Sequence, residues 1–184
     1  MAVGMKITAG LSLLITVVCG VLFMETANDI LLTLTITFGT TAYHFLMRLL
    51  VGTIVNGILH NKVNHSKIWF RVSKTEQKIY VWLKVKNWKN KMPTYDETLF
   101  NRHLHSWVEI VQAMCQSEIV HEIIVVLSFL PIVFAVWFGA FPVFAITSVL
   151  AAGFDLAFVV LQRYNRPRVI KLIQKGACAN EKSI

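Results

Sequence analysis

Charge is scarce in this chain. Charged residues occupy 15% of the 184 positions and acidic residues number ten, where an ordinary soluble domain is about a quarter charged. That scarcity excludes a fully solvated globular surface. Cysteine is sparse too: Cys19, Cys115 and Cys178 are odd in number, far apart and form no CxxC pair. A disulfide framework and a cysteine-based zinc site are both excluded. No small-x-small cleavage site follows the first apolar run, which ends Phe23-Met24-Glu25-Thr26, so that run reads as an uncleaved helix. The zinc-protease pattern fails, because Val125 stands where His121-Glu122 would need a second histidine. No serine or cysteine nucleophile with an adjacent base is evident, which disfavours chemistry through a covalent enzyme intermediate.

What the chain does have is apolar sequence in long runs. Hydrophobic residues make up 55%, and four runs cover residues 7–24, 30–59, 119–138 and 141–161. A membrane span needs about 20 such residues at 1.5 Å each. The second run exceeds that length, so its end tilts or projects from the bilayer. The formal net charge is +8, which in a soluble protein would suggest nucleic acid. Here the basic residues collect between the second and third runs (Lys62 to Arg102) and after the fourth (Arg166, Arg168, Lys171, Lys175, Lys182). The other two connections carry Glu25 and Asp29, or no charge at Gly139-Ala140. By the positive-inside rule the middle segment and both termini are cytoplasmic, and no nucleic-acid partner is implied. The expected fold class is an all-α integral membrane protein, one domain over residues 1–184. It has about four transmembrane helices and a cytoplasmic insertion at residues 61–117 between helices two and three.

Within the insertion, residues 68–72, a polar turn at 73–77 and residues 78–85 read as a β-hairpin, since Ile79, Val81, Leu83 and Val85 alternate with Tyr80, Trp82 and Lys84. An amphipathic interfacial helix is the competing reading. After Pro93, Thr94 and Glu97 have capping-box spacing. Phe100, Leu104, Trp107, Val111 and Met114 then recur at helical spacing, opposite Asn101, Arg102, His105, Glu109, Gln112 and Gln116. That pattern predicts a surface helix leading into the third span.

Ionisable residues within or beside spans mark candidate sites, because burying one costs several kcal/mol unless it faces a cavity or partner. They are His44 and Arg48 in the second run, Glu118, His121 and Glu122 beside the third, and Asp155 and Arg163 in or beside the fourth. At 1.5 Å per residue, Asp155 lies about 12 Å deeper than Arg163. A polar cavity between spans two, three and four, open to the cytoplasm, would accommodate them all. Glu118 and His121, spaced i, i+3, share a helix face. A carboxylate beside an imidazole suits a general base, and two wet headgroup-level residues would look the same. His103 and His105 point to different faces of their helix, and a zinc cluster of them with His121 is a lesser alternative. The stretch Gln162-Arg163-Tyr164-Asn165-Arg166-Pro167-Arg168 places three arginines in six residues with a turn-forming Asn and Pro. It fits a phosphate clamp as well as a stop-transfer cluster. Trp88 and Lys89, in Asn87-Trp88-Lys89-Asn90-Lys91-Met92-Pro93, form a similar basic-aromatic element at the headgroup level.

Three of these elements, Trp88-Lys89-x-x-x-Pro93, Cys115-x-x-Glu118-x-x-His121 and Gln162 to Arg168, resemble in order and spacing the glycosyl-4,4′-diaponeurosporenoate acyltransferase family. These are small bacterial membrane enzymes of staphyloxanthin-type carotenoid synthesis. The resemblance covers roughly residues 80–170. It implies a multi-pass protein of the bacterial cytoplasmic membrane that esterifies a sugar hydroxyl of a lipid-linked glycoside with a fatty acyl group. Departures from the family pattern at Asn90, Thr94, Ala113 and Gln116 favour a lipid-modifying acyltransferase over a carotenoid substrate in particular.

In the first functional reading, His121, oriented by Glu118, takes the proton from the acceptor hydroxyl. Arg163 or Arg48 stabilises the oxyanion or holds the donor phosphate. Tyr164, Asn165, Arg166, Arg168, Trp88, Lys89, His44 and Asp155 complete the substrate contacts. The partners are membrane lipid, a lipid-linked acceptor and an acyl donor. Acyl-CoA or a similar thioester is co-substrate, with no cofactor and no metal. A second reading places a divalent metal on Glu118, His121, Asp155 and His44 for lipid-phosphate hydrolysis or transfer. A third is a non-enzymatic lipid-binding or transport subunit.

Overall fold

A computed structural model describes residues 2–93 and 98–181, with side chains described from Val3 to Lys175. Among the described residues every regular element is helical. The helices are α1 (Ala2–Thr26), α2 (Asp29–Leu59), α3 (Lys74–Trp82), α4 (Val85–Trp88), α5 (Trp107–Leu127), α6 (Ala135–Phe138) and α7 (Phe141–Glu181). Short 3-10 segments lie at Ile68–Phe70, Lys89–Lys91, Thr98–Phe100 and Leu130–Phe134. Four stretches are long and apolar enough to cross a membrane: Val3–Thr26, Asp29–Leu59, Trp107–Phe138 and Phe141–Lys175. The chain is a membrane protein, and its outward-facing apolar side chains (Leu14, Ile58, Val126, Leu150) meet lipid where a soluble protein would bury them.

The chain divides into two compact units, one of Met1–Ile54 with Ile123–Asp155 and the other of Val55–Glu122 with Leu156–Ile184. In the first, hydroxyls within apolar helices bond back to the carbonyl one turn earlier. Thr16 Oγ1 donates to Ser12 O at 2.7 Å and Thr37 Oγ1 to Thr33 O at 2.8 Å, and Thr40, Thr41 and Thr147 behave alike. No donor is then left exposed to hydrocarbon by these threonines. Small residues let helices approach: a side chain at Gly39 would meet Thr16 Cγ2 at 3.4 Å. Asn28 caps α2, accepting from the Ile30 amide at 2.9 Å. Pro131 follows the end of α5, where its missing N–H breaks the helical ladder. The tight Gly139-Ala140 connection into α7 is made by two left-handed residues, φ 64° and 49°.

The second unit corrects the reading of the insertion. The expected β-hairpin is absent: residues 68–85 form a 3-10 turn, α3 and the start of α4. Ser73 and Glu76 make a capping box, with Ser73 Oγ accepting from the Glu76 amide at 3.1 Å and Glu76 Oε2 accepting from the Ser73 amide at 2.7 Å. The alternation that suggested a strand was weak, since Tyr80 and Trp82 are themselves largely apolar. Helical spacing resolves it, turning Tyr80 inward at 6% exposure one turn after Glu76. The surface helix expected from Phe100 begins instead at Trp107. Ser106 and Glu109 form its capping box, with Glu109 Oε2 accepting from the Ser106 amide at 2.7 Å. Val111 and Met114 are buried as expected, whereas Leu104 is exposed in a turn. Gln116, assigned to the polar face, is buried because its amide is used: Oε1 accepts from the Asn61 amide at 2.7 Å and Nε2 donates to Asn56 Oδ1 at 3.1 Å. The cap expected at Thr94 and Glu97 lies outside the described residues. A small core of Val63, Phe70 and Cys115, flanked by Leu59 and Ile119, sits beneath these elements.

The last helix also differs from expectation. The stretch from Gln162 to Arg168 is helical throughout, with Pro167 inside α7 and no turn. Proline there removes the bond to the Arg163 carbonyl only, and the flanking turns continue.

Candidate active site

Because α7 continues, Arg163 and Arg166 sit three residues apart on one helix face. Both point into the second unit, and both meet Glu118 of α5. Glu118 is fully buried. Its Oε1 accepts from Arg163 Nη1 at 2.6 Å, and its Oε2 accepts from Arg166 Nη1. The guanidiniums also grip three successive backbone carbonyls: Arg163 donates to Trp69 O at 3.1 Å and Arg71 O at 3.2 Å, and Arg166 to Phe70 O at 2.6 Å. Those carbonyls end a 3-10 turn and have no helical partner, so the arginines fill a vacant accepting position. The Arg166 guanidinium also stacks 5.0 Å from the Phe70 ring centroid. Arg163 Nε completes the cluster by donating to Glu76 Oε1 at 2.9 Å. Two carboxylates thus balance two guanidiniums.

Glu76 shows the electrostatics of the cluster. Partial burial raises its carboxyl, but the Ser73 amide and the Arg163 guanidinium outweigh burial and hold it below the usual carboxylate range. On acidification the unfolded chain therefore takes up this proton before the folded chain does. The stabilisation is complete at neutral pH and is lost as pH falls below 4.5, the ordinary value, through the folded value. Thermal unfolding in detergent at stepped pH should show the wild type losing its advantage over Glu76→Gln in that acidic window. A constant difference would count against the pairing.

His121 follows Glu118 by three residues on α5 and is half-buried. Its ring lies parallel to Phe158 of α7, centroids 4.5 Å apart with an interplanar angle of 7°. Glu118, expected as the orienter of His121, also serves the arginines through its two oxygens. Phe158 supports the imidazole face and was not singled out in the sequence. Beside the cluster lies a second, cationic layer. Arg168 Cζ sits 3.5 Å from the Tyr164 ring centroid, and Lys89 Nζ sits 5.6 Å from it. Lys89 Nζ also donates to Asn165 Oδ1 at 3.1 Å, and Tyr80 meets Tyr164 edge to face. The Trp88 indole N–H donates to Leu83 O at 3.1 Å, which ties that ring to its own loop.

The phosphate clamp of three arginines is therefore divided. Arg163 and Arg166 have their donors engaged internally, while Arg168 and Lys89 flank Tyr164. Glu76 and the Trp69, Phe70 and Arg71 carbonyls were not legible as partners, since Glu76 lies far from Arg163 in the chain and a carbonyl carries no residue signature. Glu122 Oε2 accepts from the Trp69 indole at 2.9 Å.

The first unit holds the other expected residues. Arg48 pairs with Asp155, Nε donating to Oδ2 at 2.9 Å, and its Nη2 donates to Ala151 O at 3.2 Å. His44 precedes Arg48 by one turn and is 5% exposed. Among the described residues neither of its ring nitrogens has a hydrogen-bond partner. Nor, among the described residues, do three His, Cys, Asp or Glu side chains converge in a way that could hold a metal ion.

The profile of the glycosyl-4,4′-diaponeurosporenoate acyltransferase family matches residues 65–175. The chain belongs to this family. The match runs from just before the 3-10 turn that the arginines grip to the helix that carries them. No curated protein and no solved structure matches the chain. As a member of the glycosyl-4,4′-diaponeurosporenoate acyltransferases, it is a membrane acyltransferase, in agreement with the resemblance carried by Trp88, Glu118, His121 and the Gln162–Arg168 stretch.

Proposed function

We propose that the protein esterifies a hydroxyl of a glycosylated, lipid-linked acceptor with a fatty acyl group taken from acyl-CoA or a similar thioester. The reading rests on the family membership together with one geometric observation: a half-buried imidazole, His121, held against Phe158 beside a charge-balanced cluster. His121 removes the proton of the acceptor hydroxyl as its oxygen attacks the thioester carbonyl. The C–S bond breaks, and the proton passes to the leaving thiolate. Glu118, Arg163 and Arg166 are positioning residues, fixing α5, α7 and the turn at Trp69–Arg71 around the imidazole. Lys89 and Arg168, on Tyr164, meet the phosphates of the donor. The placement of Lys and Arg along the chain supports the cytoplasmic face of a bacterial membrane as the location of this chemistry.

The acceptor's lipid portion is a carotenoid glycoside in the family's description, and the same glycosylated class is proposed here. Lipid mass spectrometry of cells with and without the protein tests this. The expected result is a glycolipid heavier by one fatty acyl residue only when the protein is present. Identical lipid profiles would refute the assignment.

A further inference from the structure

Four large apolar side chains of the second unit stand open outside the four spans. Ile68 is 79% exposed, Trp69 64%, Val81 75% and Trp82 79%. They fall within a basic segment that carries Lys67, Arg71, Lys74, Lys78 and Lys84, with Glu76 as its one acid. Glu76 is already neutralised by Arg163. At 100° per residue, α3 places Lys74, Lys78, Val81 and Trp82 (i, i+4, i+7, i+8) along one outward stripe. Glu76 and Tyr80 occupy the opposite, inward side. A solvated helix would put polar residues alone on that stripe. Lysine with tryptophan on one exposed face matches the headgroup level of a bilayer, where an indole sits among glycerol esters and ammonium groups meet lipid phosphates.

We propose that residues 68–82 form a docking surface for an anionic lipid leaflet, with Ile68, Trp69, Val81 and Trp82 inserted and Lys74 and Lys78 on the phosphates. Charge complementarity selects lipid over protein as the occupant: the stripe is purely cationic and its apolar residues are those of an interfacial anchor. The inference does not depend on acyl transfer. Its functional consequence follows from the hydrogen bonds above. Arg163 holds the carbonyls of Trp69 and Arg71 and the carboxylate of Glu76, so docking this surface sets the depth of the cluster beside His121. A lipid-linked hydroxyl could then reach the site without leaving the headgroup layer.

The test uses the full chain in nanodiscs. Cys19 and Cys178 are replaced by serine, and Val81→Cys carries a nitrobenzoxadiazole label. Quenching by a nitroxide attached near the lipid carbonyls is compared with quenching by a water-soluble nitroxide. The expected result is dominant lipid quenching that strengthens when phosphatidylglycerol is added to phosphatidylcholine. Lys74→Gln with Lys78→Gln is expected to lower the docked-to-undocked ratio by roughly 30-fold and to weaken the phosphatidylglycerol dependence. Quenching from water alone overturns the proposal. So does protection from both quenchers, which would indicate a protein partner or a second copy, and so does lipid quenching indifferent to phosphatidylglycerol and to the lysines.

Discussion

Glu118→Ala is expected to destabilise the protein by about 3–5 kcal/mol, the usual cost of leaving a buried charge without its partner. Arg166 is 1% exposed and would keep the Phe70 carbonyl and ring and its contact with Cys115, none of which carries a compensating negative charge. Arg163 would keep Glu76 and two carbonyls, so most of the penalty falls on Arg166. Thermal unfolding in detergent should show an apparent melting temperature lower by roughly 10 °C. Glu118→Gln, which preserves shape and one acceptor, should fall between the two. An unchanged melting temperature in Glu118→Ala would show that the cluster does not hold the second unit together. The comparison also protects the mechanistic reading: loss of activity in a Glu118 variant follows from unfolding, and carries no catalytic information unless stability is measured beside it.

His121→Ala is expected to do the opposite, leaving stability close to wild type and lowering turnover by about 10² to 10⁴, the range typical of a removed general base. The imidazole is half-buried and stacked on one ring, so its truncation removes limited packing. A proton acceptor has no replacement at that position except water. The measurement is initial-rate acyl transfer at saturating donor and acceptor, paired with the melting temperature of the same preparation. Turnover within a few-fold of wild type would remove His121 from the chemistry.

The spans were legible in the sequence because lipid imposes a length and a composition that few other environments demand, and residues 30–59 stand as the helix Asp29–Leu59. The third span was seen from residue 119, but its helix starts at Trp107. The Ser106–Glu109 cap that starts it repeats the spacing of Thr94 and Glu97. The hairpin is absent because the period-2 alternation of Ile79, Val81 and Leu83 is outweighed by Ser73 and Glu76, which have the spacing of a helix start signal. Glu118 and Arg163 were visible as costly charges near a membrane and Arg166 as part of a basic motif, while Glu76 was not visible. Nor was their pairing. Local spacing offered His121 as the partner of Glu118, whereas the guanidiniums of Arg163 and Arg166 approach from a helix some 45 residues away in the chain. Each oxygen of Glu118 takes a charge-assisted bond from one guanidinium. Pro167 misled for a related reason, since a proline after a basic motif reads as an exit, yet a long helix tolerates the loss of one backbone bond.

Transfer of a labelled acyl group tests the central claim most directly. Purified protein in detergent is supplied with a radiolabelled fatty acyl thioester and a glycosylated lipid acceptor, and the lipid products are separated and treated with mild alkali. Label should appear in the glycolipid in alkali-labile ester linkage, in amounts that track the wild-type protein and fall with His121→Ala. Label recovered only as unreacted thioester or as free fatty acid would contradict acyl transfer to a hydroxyl.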